Sequence, residues 1–174
     1  AMIMPVAERD FLMICSDGTL QLIQLDEQGA EANRERSKKI FEVLEDPIFD
    51  RPVPTATGWL VYTHSGKAFH VTVDGDDIEI GDAWALQGKE EDDQAWRPGG
   101  GEFATVHKAT GLMYMLMHKP EEDYTHHEPG TEIWVIDVNA QRRLERIELE
   151  TPAYSLYVTQ SDDPKLIVSD EEGG

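Results

Sequence analysis

The chain has a single cysteine, Cys15, among 174 residues. No disulfide can close within it, and no thiolate cage can hold a metal. The lone thiol fits a cytosolic protein, or half of a disulfide whose other half is absent. Basic residues are also scarce: 15 Lys and Arg face 35 Asp and Glu, a formal net charge of −20. Nucleic-acid binding rests on a Lys/Arg surplus, so that class is excluded. Attraction to an anionic membrane surface is disfavoured for the same reason. No apolar run approaches the roughly 18 residues of a membrane span, so no membrane insertion is expected. No signal peptide is legible in Ala1 to Arg9, which lacks a basic start and a long apolar core.

What remains is a globular composition, with 40% hydrophobic residues and a mean hydropathy of −0.48. The length suits about one domain with a real core. Strand signals dominate. Phe11 to Cys15 is an apolar run stopped by Ser16-Asp17-Gly18, and Leu20 to Leu25 follows, stopped by Asp26 to Gly29. Asp-Gly tolerates the positive φ angles of tight hairpin turns. The same arrangement recurs as Trp59 to Thr63, Ser65-Gly66, Ala68 to Val73. It recurs again as Leu112 to Met117, an inserted loop to Gly130, and Glu132 to Asp137. Each hairpin is flanked by further strand candidates. Ile3 to Val6, Ile48 to Pro54 and Phe103 to His107 precede, while Lys39 to Val43, Ile78 to Ile80 and Arg143 to Leu149 follow. Glu31 to Lys39 reads as a short helix or a charged loop, and Leu86 to Trp96 as an acidic loop with one helical turn.

A four-strand unit repeating every ~45 to 55 residues is the signature of propeller blades. The polarity gradient agrees. Leu112 to Met117 is apolar on both faces, as an inner strand between neighbouring blades requires, whereas Arg143 to Leu149 alternates polar with apolar. The predicted fold is an all-β propeller of about three and a half blades, with approximate limits 1–46, 47–98, 99–150 and 151–174. The apolar start at Ala1 to Val6 and the incomplete last blade lead to the expectation of a piece from the middle of a larger propeller.

Few residues suggest chemistry. His118, His126 and His127 surround Glu121, Glu122 and Asp123, a set of possible metal ligands. However, adjacent histidines on an extended loop point apart, and a solvated blade loop is the plainer reading. Trp96-Arg97-Pro98-Gly99-Gly100-Gly101 allows close backbone approach but lacks the Lys-Ser/Thr and helix of a phosphate loop. It reads as a tight connection into the next blade. Met113, Met115 and Met117 alternate as core filling. Glu90 to Asp93 is a solvated acidic run that could steer a cationic partner. Cys15 lacks the cationic surroundings of a nucleophile; it is a packing residue or half of a disulfide. No Ser-His-Asp arrangement has the order or turn context of a hydrolase.

Several strings together resemble one family. Phe11 to Gly18, Ser37-Lys38-Lys39-Ile40-Phe41 with Asp46-Pro47-Ile48-Phe49, Trp96-Arg97-Pro98-Gly99-Gly100, His107 to Tyr114, Leu116-Met117-His118, Thr125-His126 and Glu132 to Asp137 follow the order seen in heavy chains of quinoprotein amine dehydrogenases. The Ser-Lys and Asp-Pro-Ile-Phe strings are closer to the aromatic amine dehydrogenase branch. The resemblance implies the middle blades of a seven-bladed heavy subunit that pairs with a light chain as a periplasmic heterotetramer. It implies a tryptophan tryptophylquinone in that light chain, oxidation of a primary amine to aldehyde and ammonia, and electron delivery to a small blue-copper protein. It implies no catalytic, cofactor or metal residue in this chain, so Trp59, Trp84, Trp96 and Trp134 are not quinone precursors. It also implies a disulfide from Cys15 to a cysteine just before Ala1. Trp96, Arg97, Pro98, Gly99, Gly100 and His126 become candidates for light-chain or inter-blade contact. Gly101 stands where the family usually has a bulky aromatic, and His127 where it often has Lys. A non-enzymatic propeller interaction module is the alternative from a different class.

Overall fold

The computed structural model describes residues 2–49, 51–88, 92–120 and 127–170. The first blade is an antiparallel sheet in chain order: β1 (Ile3–Pro5), β2 (Asp10–Ile14), β3 (Leu20–Leu25) and β4 (Glu31–Arg36). The second contains β5 (Val53–Pro54), β6 (Trp59–Tyr62), β7 (Lys67–Asp74) and β8 (Asp77–Ile80), with β9 (Trp84–Ala85) added beside β7. After a 3-10 turn at Asp92–Ala95 comes the third blade. Its innermost position is shared by β10 (Arg97–Pro98) and β11 (Ala104–His107), both paired with β12 (Leu112–His118). β13 (Gly130–Asp137) and β14 (Arg142–Ala153) complete it. β15 (Ser155–Val158) and β16 (Leu166–Ser169) form a two-stranded start of a fourth sheet.

Two expectations are corrected. The outer strand of the first blade is Glu31–Arg36, not Lys39 to Val43. Nearly every residue of β4 is exposed, so no apolar alternation marks it, and its cross-strand partners on β3 decide its conformation. Ile40 to Val43 turns inward instead as part of the connection, with Phe41 buried. The expected strand Ile48 to Pro54 is broken. Ile48 bridges Thr63, and pairing resumes only at Val53 opposite Leu60.

The core lies between blades. Met4, Leu12, Leu20 and Leu22 of the first sheet pack with Val61 and Val71 of the second. A larger cluster joins the second, third and fourth sheets through Tyr62, Leu60, Met113, Met115, Leu116, Met117 and Leu156. Consecutive side chains of β12 are buried, because each of its faces meets a neighbouring sheet. The connection from third to fourth sheet is also sewn by polar bonds. Gly101 N donates to Tyr154 O at 2.8 Å, and Leu156 N donates to Glu102 O at 2.8 Å. Gln160 Nε2 donates to Val106 O, and Lys108 N donates to Gln160 Oε1. His107 Nε2 lies 3.1 Å from the carbonyl of Ser161, so that nitrogen carries the proton.

In a four-strand meander, the second-to-third hairpin and the link to the next blade share one end, here called the upper end. Two tight turns sit there. Cys15 N donates to Thr19 O and Thr63 N to Lys67 O, with Gly18 (φ 86°) and Gly66 (φ 85°) at the left-handed position. The link leaving each blade grips its turn: Ile40 N donates to Gly18 O and Leu86 N to Gly66 O, both at 2.8 Å. Asp46, on the link entering the second blade, holds the Thr63–Lys67 turn from the other side. Its carboxylate accepts from Ser65 N (2.9 Å), Ser65 Oγ (2.7 Å) and Thr63 Oγ1 (2.9 Å), with Lys67 Nζ at 3.3 Å.

Two predictions follow from these contacts. Leu12 is fully buried between the first two sheets, so Leu12→Ala is expected to lose about 2–5 kcal/mol in urea unfolding. For Asp46, burial pushes the carboxyl up, but hydrogen bonds from Ser65 and Thr63 and the Lys67 ammonium outweigh it and hold it below its ordinary 3.8. A depressed carboxyl contributes stability that is fully present above its unfolded value and lost as pH falls through the folded one. Asp46→Asn is therefore expected to cost about 1–2 kcal/mol at pH 7, with the gap in Tm closing below about pH 4. A gap of constant size from pH 7 to pH 3 would contradict the role of the ionised carboxylate.

Candidate functional site

The third blade departs from the turn pattern of the first two. Where they have tight glycine turns, eleven residues, 119–129, separate β12 from β13. Residues 121–126 of these, including the candidate His126 and the acidic Glu121 to Asp123, lie outside the described residues. Long loops on a rigid scaffold are where binding function concentrates.

The Trp96–Gly101 string lies against the stems of this loop. The ladder shows what it corresponds to. Phe49 N donates to Tyr62 O (2.9 Å) in the second blade, as Gly99 N donates to Leu116 O (3.2 Å) in the third. Three residues earlier stand Asp46 and Trp96, so Trp96 occupies the place of the turn-holding carboxylate. By the same register, His64 corresponds to His118. Phe49 stacks on His64 with ring centroids 4.2 Å apart. Gly99 has no side chain to stack, and the buried His118 ring fills that space instead. A Cβ on Gly99 would stand 2.2 Å from His118 Nδ1 and 2.7 Å from Glu128 O. His118 Nε2 is 3.8 Å from the Glu128 carboxylate. Thus one glycine contacts both stems of the inserted loop.

Gly101 is explained by its neighbour. A Cβ there would meet the Tyr154 ring at 2.5 Å. Tyr154 thus places an aromatic ring beside the position where the family resemblance leads one to expect a bulky aromatic. His127 is exposed on the descending stem. On the axial side, Glu102 pairs with Arg51 at 2.5 Å, linking the broken inner strands of two blades.

Behind the string is a network that sequence reasoning missed. Asp93, only 2% exposed, meets Arg143 Nη1 at 2.6 Å and Arg146 Nη1 at 3.1 Å. Arg146 also donates two bonds to Glu132, from Nε at 2.7 Å and Nη2 at 2.8 Å, and Trp134 Nε1 donates to the same carboxylate at 2.7 Å. Burial raises the Glu132 carboxyl, but the hydrogen bonds from Arg146 and Trp134, with the charges of Arg146 and Arg143, hold it below its ordinary value. The Arg146 guanidinium lies 4.7 Å above the Trp96 ring and 5.2 Å above Trp134, and Arg143 lies 4.6 Å above Trp134. Such stacking suits the planar guanidinium. Lys119 Nζ reaches the other side of the assembly, 5.4 Å from the Trp96 ring. Arg143 and Arg146 are three apart, a spacing that puts side chains on opposite faces of a regular strand. The register skips Leu144 between Val135–Glu145 and Ile136–Arg143, and this bulge turns both arginines onto Trp134. Only the Arg/Glu alternation of β14 opposite a tryptophan strand could have signalled it.

The remaining candidates lie elsewhere. Cys15 is a free, half-buried thiol at the first-blade turn. It lines an apolar groove of about 530 Å3 with Met2, Ile14, Phe41, Val43 and Ile48. Among the described residues, no cluster of three His, Cys, Asp or Glu could hold a metal. Nor do the described contacts of the upper rim pair a nucleophile with a base. The arrangement is a closely packed rim that can present backbone and side chains to another molecule.

The successive antiparallel sheets, each covering the next, define a β-propeller. Among solved structures, the chain resembles the β-propeller domain of Cps50 (Swd1) from Myceliophteria thermophila, with a TM-score of 0.53 at 11% identity, covering 90% of this chain and 43% of that one. That likeness concerns the fold alone. The profile of the methylamine dehydrogenase heavy chain (MADH) family matches residues 1–173, and the chain belongs to that family. It is 30% identical to the methylamine dehydrogenase heavy chain of Methylophilus methylotrophus over 98% of this chain and 42% of the relative. It is likewise 30% identical to that of Methylobacillus flagellatus, over 94% and 41%. The chain thus spans about two fifths of the length of these relatives. These likenesses do not separate the aromatic branch from the methylamine one.

Gly99→Ala tests the rim. Its added methyl collides with a buried ring and a carbonyl, so a loss of about 1–3 kcal/mol in urea unfolding is expected, with displaced His118 ring resonances in NMR spectra. Unchanged stability and spectra would show that the string does not bear on the loop stems.

Proposed function

We propose that this chain supplies middle blades of the heavy subunit of a quinoprotein amine dehydrogenase, with the upper rim of its third blade as part of the docking surface for a light chain. The observation that carries this reading is the combination of family membership with a glycine-lined string packed against the stem residues His118 and Glu128. In this reading the light chain holds the tryptophan tryptophylquinone and oxidises a primary amine to an aldehyde and ammonia. The heavy subunit orients the light chain and shapes access to it. A heterotetramer, electron delivery to a small blue-copper protein and a periplasmic location belong to the same proposal. A disulfide from Cys15 to a preceding cysteine, which the family resemblance implies and an oxidising compartment permits, belongs to the same proposal. The Ser37-Lys38 and Asp46-Pro47-Ile48-Phe49 strings resemble the aromatic amine dehydrogenase branch, and the choice between an aromatic amine and methylamine is left to the substrate comparison below.

The test is expression of the full-length heavy-chain gene with its neighbouring reading frames. A small subunit with quinone absorbance, bleached by a primary amine, is expected to co-purify. Comparing a phenylethylamine with methylamine then assigns the substrate branch. A propeller that purifies alone, with no quinone spectrum, would overturn the proposal in favour of a non-enzymatic interaction module.

A further inference from the structure

The most heavily built part of the chain is not the rim itself but the ionic layer beneath it. The Arg36–Asp17 pair at the upper end is open to water, with both side chains about half exposed, at 52% and 51%. Such pairs add little. The third blade instead buries Asp93 to 2% exposure between two arginines, an arrangement whose desolvation cost makes it a poor device for stability alone. It also spends a β-bulge to bring both arginines to one face.

Arg146 is the hub. It holds Glu132 with two parallel bonds, meets Asp93 and covers Trp96 and Trp134 together. Trp96 is buried, with no hydrogen-bond partner for its Nε1 among the described residues, and ring packing and these cations hold it in place. Trp96 in turn starts the string. Arg97 Nη1 folds back to the carbonyls of Gln94 (2.5 Å) and Trp96 (2.8 Å), and Gly99 seats against His118 and Glu128. In the second blade, Asp46 holds its turn directly at this position. In the third, a tryptophan held by Arg146 reaches the stem residue Lys119.

We infer that Arg146 is a positioning residue for docking: by fixing Trp96 it sets the Arg97–Gly101 string against the loop stems and so presents a preformed surface to the light chain. The inference rests on the docking reading above for its partner, but its structural half stands apart from it. A preformed surface binds more tightly because less ordering entropy is lost.

The experiment uses the full-length heavy chain as wild type, Arg146→Lys, Asp93→Asn and the remote destabilised control Leu12→Ala. Two readouts are taken well below every Tm: amide hydrogen exchange at residues 99–101 and 128–130, and Kd for the purified light chain. Arg146→Lys keeps the charge but loses the two-bond hold on Glu132. It is expected to speed rim exchange and weaken light-chain binding about tenfold or more, with Asp93→Asn in the same direction. Leu12→Ala is expected to lose Tm while keeping wild-type rim exchange and affinity. Rim exchange and affinity in Arg146→Lys that match wild type, or that change no more than in Leu12→Ala, would overturn the inference. If the wild-type chain binds no light chain, the docking reading fails. Exchange then decides alone: a rim loosened in Arg146→Lys and not in Leu12→Ala keeps the positioning role, and equal exchange removes it.

Discussion

A sheet that is apolar on both faces cannot stand alone in water, and the structure is organised around that constraint. β12 buries Met113, Met115, Leu116 and Met117, which requires one neighbour on each side. A barrel closes a single sheet on itself; here successive sheets cover one another, as between Leu12 and Val61 or between Phe103 and Leu156. The exposed Tyr157 and Ile167 lie opposite each other on the last two strands. They are an apolar part of a blade face that stands open to solvent. Hydrophobic burial of this kind is non-directional, so the blades also need devices that fix their mutual angle.

Those devices gather at the upper end. Links between blades run past the hairpin of each blade and bond to it, through Ile40 to Gly18 and through Leu86 to Gly66. Asp46 and Trp96 stand at equivalent positions of two blades and solve the same problem by different chemistry. A carboxylate suffices for a tight turn with free N–H and hydroxyl donors. In the third blade an indole braced by Arg146 meets the stem residue Lys119 instead. The propeller thus gains a differentiated place without altering its repeat.

Much of this was legible in the residues. The hairpins at Asp17-Gly18 and Ser65-Gly66, the apolar β12 and the repeat length identify blades, because turn chemistry and period-two burial are local properties. β4 was not legible, since Glu31–Arg36 is polar on both faces and becomes a strand only by pairing with β3. The break in the innermost strand of the second blade was hidden because apolar residues flank it, Ile48 and Phe49 before and Val53 after. The Trp96–Gly101 string stood out by composition, but its partners His118, Glu128 and Tyr154 are set by tertiary contact. The Asp93–Arg143–Arg146 network was illegible because a bulge, visible only in the register, reverses the facing of Arg143 relative to Arg146.

Membership of a heavy-chain family and the Gly99–Gly101 string seated against His118, Glu128 and Tyr154 meet in the proposal that the third blade's upper rim is a contact surface. Amide hydrogen exchange of the full-length heavy chain, with and without light chain, tests that directly. The account predicts protection on complex formation at residues 97–101 and 127–130, with the lower-end turns at 26–30, 75–76 and 138–141 unchanged. Protection confined to the lower-end turns, or a rim that exchanges equally in both states, would contradict it.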